Sequence, residues 1–131
     1  MIIKIPFKTP SVNHLYGHFH SRKFLKAEAK RLREIISDIC EDLNASSLNE
    51  ELLKVKTVIY EDWYCKNGSV RRADIANREK FLVDSVFNAL GIDDRFIFEH
   101  TMIKEVSDDE YAIIEIRRLE DNGEEQETNN N

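Results

Sequence analysis

The spacing of apolar residues changes several times along the chain, and each change marks an element. Met1 to Phe7 is a β-prone run, with Ile2, Ile3 and Ile5 close together; Pro6 and Pro10 end regular structure there. From about Leu25 to Leu43, Ala29, Leu32, Ile35, Ile36, Ile39 and Leu43 recur at helical spacing. The other side of that helix carries Lys26, Lys30, Arg31 and Arg33, then Asp38, Glu41 and Asp42. Acids late in a helix oppose its dipole, so packing must hold that end. Leu53 to Cys65 alternates as a strand, with Val55, Thr57, Ile59 and Glu61 on one side and Lys54, Lys56, Val58, Tyr60 and Asp62 on the other. A second helix is predicted over Ile75–Leu90. Leu82, Val83, Val86 and Leu90 form its apolar stripe, Asn77, Lys80, Asp84 and Asn88 its opposite face, with Asp74 as cap and Gly91 as stop. Phe96–Val106 and Glu110–Arg118 alternate as two more strands, and Ser107-Asp108-Asp109 between them predicts an antiparallel hairpin.

The order β-α-β-α-β-β predicts an α+β domain, a mixed four-stranded sheet with two helices packed on one face. The 131 residues suit one such domain, over 1–118, followed by a tail over 119–131. No internal repeat is visible. At 41% hydrophobic and 34% charged residues the composition is that of a globular protein. No apolar run is long enough to cross a bilayer, and MIIKIPFKTP is too short and interrupted for a signal peptide, so a cytoplasmic protein without membrane partners is expected. Cys40 and Cys65 lack metal-ligand spacing and read as reduced thiols.

The net charge of −6 argues against nucleic acid until its distribution is considered. Glu120, Asp121, Glu124, Glu125 and Glu127 all lie in the tail, which reads as disordered and solubilising. Without those five, 20 acids face 19 bases, and a body of net charge −1 can still present a basic face to DNA. The densest candidate chemistry runs from Val70 to Arg95. Arg71, Arg72 and Asp74 precede the second helix, Asn77, Lys80 and Asp84 lie along it, and Asp93 and Asp94 follow it. Carboxylates able to share a cation, beside bases able to hold phosphate, point to metal-assisted phosphodiester chemistry. The ordinary alternatives are an N-cap for Asp74, an i,i+4 pair for Lys80 and Asp84, and a solvated charged loop for the arginines. The loop SVNHLYGHFHSRKF is long for a small domain, which favours a functional role. His14, His18 and His20 in it have no cysteine or acidic companion, so they read as polar loop residues rather than a zinc site.

These residues resemble the RusA-type Holliday junction resolvases. Pro10-Ser11-Val12-Asn13 with Tyr16 is similar to the family's N-terminal pattern. Arg71, Arg72, Asp74, Asn77, Lys80, Asp84, Asp93 and Asp94 fall in register with its central signature, and Lys104 with a later lysine. The resemblance covers about Pro10 to Arg118. It implies a homodimeric, Mg²⁺-dependent endodeoxyribonuclease (Mn²⁺ being an alternative metal) that resolves four-way DNA junctions in recombination and repair. It further implies Asp74, Lys80 and Asp94 as catalytic residues. The metal would be held by Asp74 and Asp94, with Asp84 and Asp93 as further ligands. DNA would be contacted by Asn13, Tyr16, Arg22, Lys23, Arg71, Arg72 and Lys80. One position departs from the pattern: Ala76 stands where the signature has a second aspartate. Three readings follow: a branch in which another carboxylate completes the site, a deliberately inactivated variant, or a junction-binding protein that does not cut.

Overall fold

The computed structural model describes residues 1–11 and 22–120, the side chains of 22–26 excepted. The elements are β1 (Ile2–Ile5), α1 (Arg22–Cys40), β2 (Leu53–Glu61), α2 (Ile75–Leu90), β3 (Ile97–Val106) and β4 (Tyr111–Arg118), with short 3-10 turns at Ser46–Leu48 and Asp94–Phe96. The fold is the expected α+β arrangement of a four-stranded mixed sheet and two helices. Helix α1 begins and ends about three residues earlier than its apolar period predicts. Its C-terminus at Cys40 leaves Glu41 and Asp42 just past the last turn, still beside the negative end of the helix.

One face of the sheet and both helices share a single core. Ile3 and Ile5 of β1, Val55 and Ile59 of β2, and Ala112, Ile114 and Ile116 of β4 pack with Ala29, Leu32 and Ile36 of α1 and with Phe81, Leu82, Val86 and Phe87 of α2. The alternation in β2 holds to its end, so Thr57 and Glu61 are buried with their apolar neighbours. Both cysteines are free; Cys40 is buried, which raises its thiol pKa.

The predicted hairpin between β3 and β4 does not form. The sheet order is β1-β4-β2-β3, with β4 antiparallel to both β1 and β2, and β3 parallel to β2. The division follows polarity. Ala112, Ile114 and Ile116 are fully buried, which suits β4 to the sheet interior. Strand β3 carries Glu99, His100, Thr101, Lys104 and Glu105 and takes an edge, where such residues reach water. The α2 crossover lays β3 along one side of β2, leaving the other side for β4. Alternation and a polar connection specify strands and a turn, not which strand becomes the neighbour.

Candidate functional site

The site is built around the entry to α2. After β2, Gly68 adopts a left-handed φ of 88° that turns the chain back, and Tyr64 bridges Val70. The Arg71 N–H then donates to the Trp63 carbonyl at 2.9 Å, laying Arg71–Asp74 across the end of the strand. Asp74 is the N-cap of α2: its Oδ1 accepts from the Ala76 N–H at 3.0 Å, a bond of the kind worth ~1 kcal/mol. Its side chain lines a pocket of about 500 Å³ together with Ser11, Arg72, Ala73, Asn77 and Arg78. Exposed Ala76 also sits in this first turn of α2.

A buried charged hub lies at the same end of the sheet. Glu61 closes β2 at 1% exposure, and its Oε1 accepts from Arg78 Nη1 at 2.7 Å. The same Nη1 donates to the Thr9 carbonyl at 3.1 Å, tying the segment after β1 to α2. Arg71 Nη1 stands 3.9 Å from Glu61 Oε2. Trp63 stays inside the domain: its indole N–H is shared between the Ile59 and Glu105 carbonyls, and Arg78 and Lys104 lie over its ring. Lys104 Nζ donates to the Ala73 carbonyl at 2.6 Å, fastening the far end of β3 to the loop that carries Asp74.

Farther along α2, Lys80 Nζ is 3.2 Å from Asp84 Oδ2. The hydrogen bond to Asp84 is the main reason that the Lys80 ammonium pKa is raised; the charges of Asp84, Asp94 and Glu79 add to it. Beyond Gly91, Asp93 caps the turn Asp94–Phe96, its Oδ1 accepting from the Arg95 N–H at 2.9 Å and its Oδ2 lying 3.5 Å from Arg95 Nε. Asp94 is exposed. At ~1.5 Å per residue, the 16 residues of α2 put roughly 24 Å of helix between the Asp74 and Asp94 ends. Among the described residues no three His, Cys, Asp or Glu side chains group so that they could hold a metal.

Residues 6–117 match the family described as Endodeoxyribonuclease RusA. The chain belongs to the RusA endodeoxyribonuclease family. RusA nucleases resolve Holliday junctions and generally depend on a divalent metal. No curated protein matches the chain. No helix among its described residues is long and apolar enough to cross a membrane.

The RusA signature residues thus divide between two places. Arg72, Asp74 and Asn77 meet at the pocket, with Arg71 beside them, whereas Asp93 and Asp94 lie past the other end of α2 and Lys80 and Asp84 stand between. Asn13 and Tyr16 lie outside the described residues, as do the histidines of the same loop and the side chains of Arg22 and Lys23. Sequence reasoning missed Arg78 and gave Glu61 no role. A signal was present: Glu61 falls on the same side of its strand as Val55 and Ile59, and a carboxylate on a buried face requires a cationic partner.

Proposed function

We propose that this RusA-family chain is a homodimeric, metal-dependent endonuclease that nicks four-way DNA junctions in the cytoplasm. The observation that carries this reading is the convergence of Asp74 with Arg72, Asn77 and Arg78 at one pocket. Phosphodiester hydrolysis needs a carboxylate on the reaction side and cationic groups on the phosphate, and both are present there. A bound Mg²⁺ or Mn²⁺ supplies Lewis acidity and an activated water; it needs only one or two protein carboxylates when phosphate oxygens complete its shell. Asp74 is the carboxylate at the pocket, Lys80 carries positive charge along the same helix, and Arg71 and Arg72 hold the DNA backbone.

A second copy of the chain supplies the rest. Strand β3 has one edge unpaired by the sheet and carries Phe98, Met102 and Val106, exposed by 65%, 39% and 60%. Met102 and Val106 share one side of the strand with His100 and Lys104, and Phe98 lies at an irregularity in the pairing with β2. Antiparallel pairing of two β3 edges about a two-fold axis at Met102 sets Phe98 of each copy against Val106 of the other, so the apolar stripe covers itself. The same pairing brings the Asp94 end of one copy to the Lys104 and Asp74 end of the other. Two such sites, related by two-fold symmetry, suit the paired strands of a four-way junction.

The deciding assay uses a labelled four-way junction with Mg²⁺, Mn²⁺ or EDTA. Paired, metal-dependent nicks are expected. Tight binding without nicks under all three conditions favours the second reading, a junction-binding protein, which Ala76 supports because it removes an expected ligand. Absence of both binding and nicking at low salt rejects the DNA reading.

A further inference from the structure

Arg78 belongs to none of the signature positions, yet it occupies the floor of the candidate site. Its side chain is only 12% exposed and lines the pocket beside Asp74 and Arg72. Three contacts fix it: Nη1 donates to Glu61 Oε1 at 2.7 Å and to the Thr9 carbonyl at 3.1 Å, and the guanidinium lies 5.3 Å over the Trp63 ring. A guanidinium has five N–H donors, and the contacts to Glu61 and Thr9 engage only Nη1. Among the described residues the Nε and Nη2 donors have no hydrogen-bond partner. That edge is the planar pair of donors that matches two oxygens of one phosphate.

The burial of Glu61 is informative here. A buried ion pair is weak evidence for stability, because desolvating two charges offsets their attraction. Glu61 Oε2 is buried without a hydrogen bond, and Arg71 Nη1 stands 3.9 Å from it. Apolar side chains would finish β2 at lower desolvation cost. The pair does something an apolar pair cannot: it holds a charged fork in one rotamer at the pocket. A preorganised donor loses little conformational entropy on binding, unlike the exposed Arg72 beside it.

We propose that Arg78 is a DNA-phosphate ligand of this site, gripping the non-bridging oxygens of one backbone phosphate through its Nε and Nη2 edge, and that Glu61 is the positioning residue that keeps it there. The inference rests on the junction-nuclease reading above and adds a substrate contact to it.

The test is junction binding by the full chain, followed by fluorescence anisotropy in EDTA across a KCl series, with thermal melting as the control for folding. Replacing the pair together, Glu61→Leu with Arg78→Met, removes both buried charges at once, so neither is left without the other; the Thr9 carbonyl and Arg71 each lose one contact. This variant is expected to melt near the wild-type temperature and to bind about tenfold more weakly. Its slope of log affinity against log salt is expected to fall by about one, the signature of one lost phosphate contact. Arg78→Lys provides a second route if the pair variant does not fold. Its ammonium remains on Glu61 and the Thr9 carbonyl and cannot also form the fork, so the slope again falls. A merely structural Arg78 leaves the slope at the wild-type value in every folded variant, and that result overturns the proposal while the nuclease reading stands. Wild-type protein that shows no salt-dependent junction binding overturns both.

Discussion

Asp74 and Asp94 stand at opposite ends of α2, one capping its first turn and the other opening the turn after Gly91. In the proposed dimer, a reaction that uses both carboxylates takes them from two copies of the chain. Mixing tests this directly. Asp74→Asn and Asp94→Asn proteins are each expected to be inactive on a four-way junction. Mixed dimers, formed by unfolding and refolding the two together, regain nicking at one of their two sites. A mixture as inactive as its parents means that each site belongs to a single protomer.

The self-covering stripe on β3 gives a second expectation. Met102, placed at the proposed axis, is 39% exposed. Met102→Asp sets two like charges against each other across the interface and is expected to yield monomers in sedimentation equilibrium. As a surface change it alters monomer stability by no more than about 0.5 kcal/mol. A variant that remains dimeric places the interface elsewhere.

Ala76 occupies the first turn of α2 with its side chain exposed, and its N–H is the one that Asp74 caps. Ala76→Asp therefore introduces a carboxylate beside Asp74 without disturbing the core. The metal concentration needed for half-maximal nicking is expected to fall by about an order of magnitude, equivalent to ~1.4 kcal/mol of metal binding. The dipole contact of an acid at the helix's positive end, roughly 0.3–1 kcal/mol, offsets the lower helix propensity of Asp relative to Ala, so helix stability stays nearly unchanged. If the metal requirement and rate are both unaltered, position 76 lies outside the metal site.

The contact between Asp84 and Lys80 separates two roles for that carboxylate. If Asp84 serves Lys80 alone, Asp84→Asn leaves the metal requirement unchanged, and helix stability drops only slightly because the pair is solvent-exposed. Loss of the hydrogen bond that raises Lys80 also lowers the pKa of its ammonium, which is readable from the side-chain nitrogen by NMR. A markedly weakened metal response in this variant makes Asp84 a ligand instead.

On the far side of the sheet from the helices, Tyr60 stacks on Tyr111 with ring centroids 4.3 Å apart. Burial, then the proximity of Tyr111 and Glu105, raises the Tyr60 phenol above its ordinary value. The folded protein thus holds this proton more tightly than the unfolded chain. The resulting stabilisation is complete below about pH 10 and is lost as pH rises through the raised value. Melting temperature should fall above about pH 10 less steeply in Tyr60→Phe than in wild type; identical falls assign the alkaline loss to other groups.

The element order, the capping of α2 by Asp74, the left-handed stop at Gly91 and the inward side of β2 were all legible along the chain, because each depends on residues within a few positions of one another. The Lys80–Asp84 contact was legible for the same reason, being one helical turn long. The placement of β4 between β1 and β2 was not: alternation shows that a strand has two faces but says nothing about its neighbours. The same limit separated Asp74 from Asp94. Only the crossover of α2 revealed that residues near in sequence, and joined by one signature, are held apart by the length of a rigid helix. Glu61 and Arg78 complete the contrast. Their sequence spacing has no local meaning, and they meet only because the end of β2 packs beneath the first turn of α2. A buried charge finds its partner through the tertiary fold, while a cap or a helical turn is already written in its immediate neighbours.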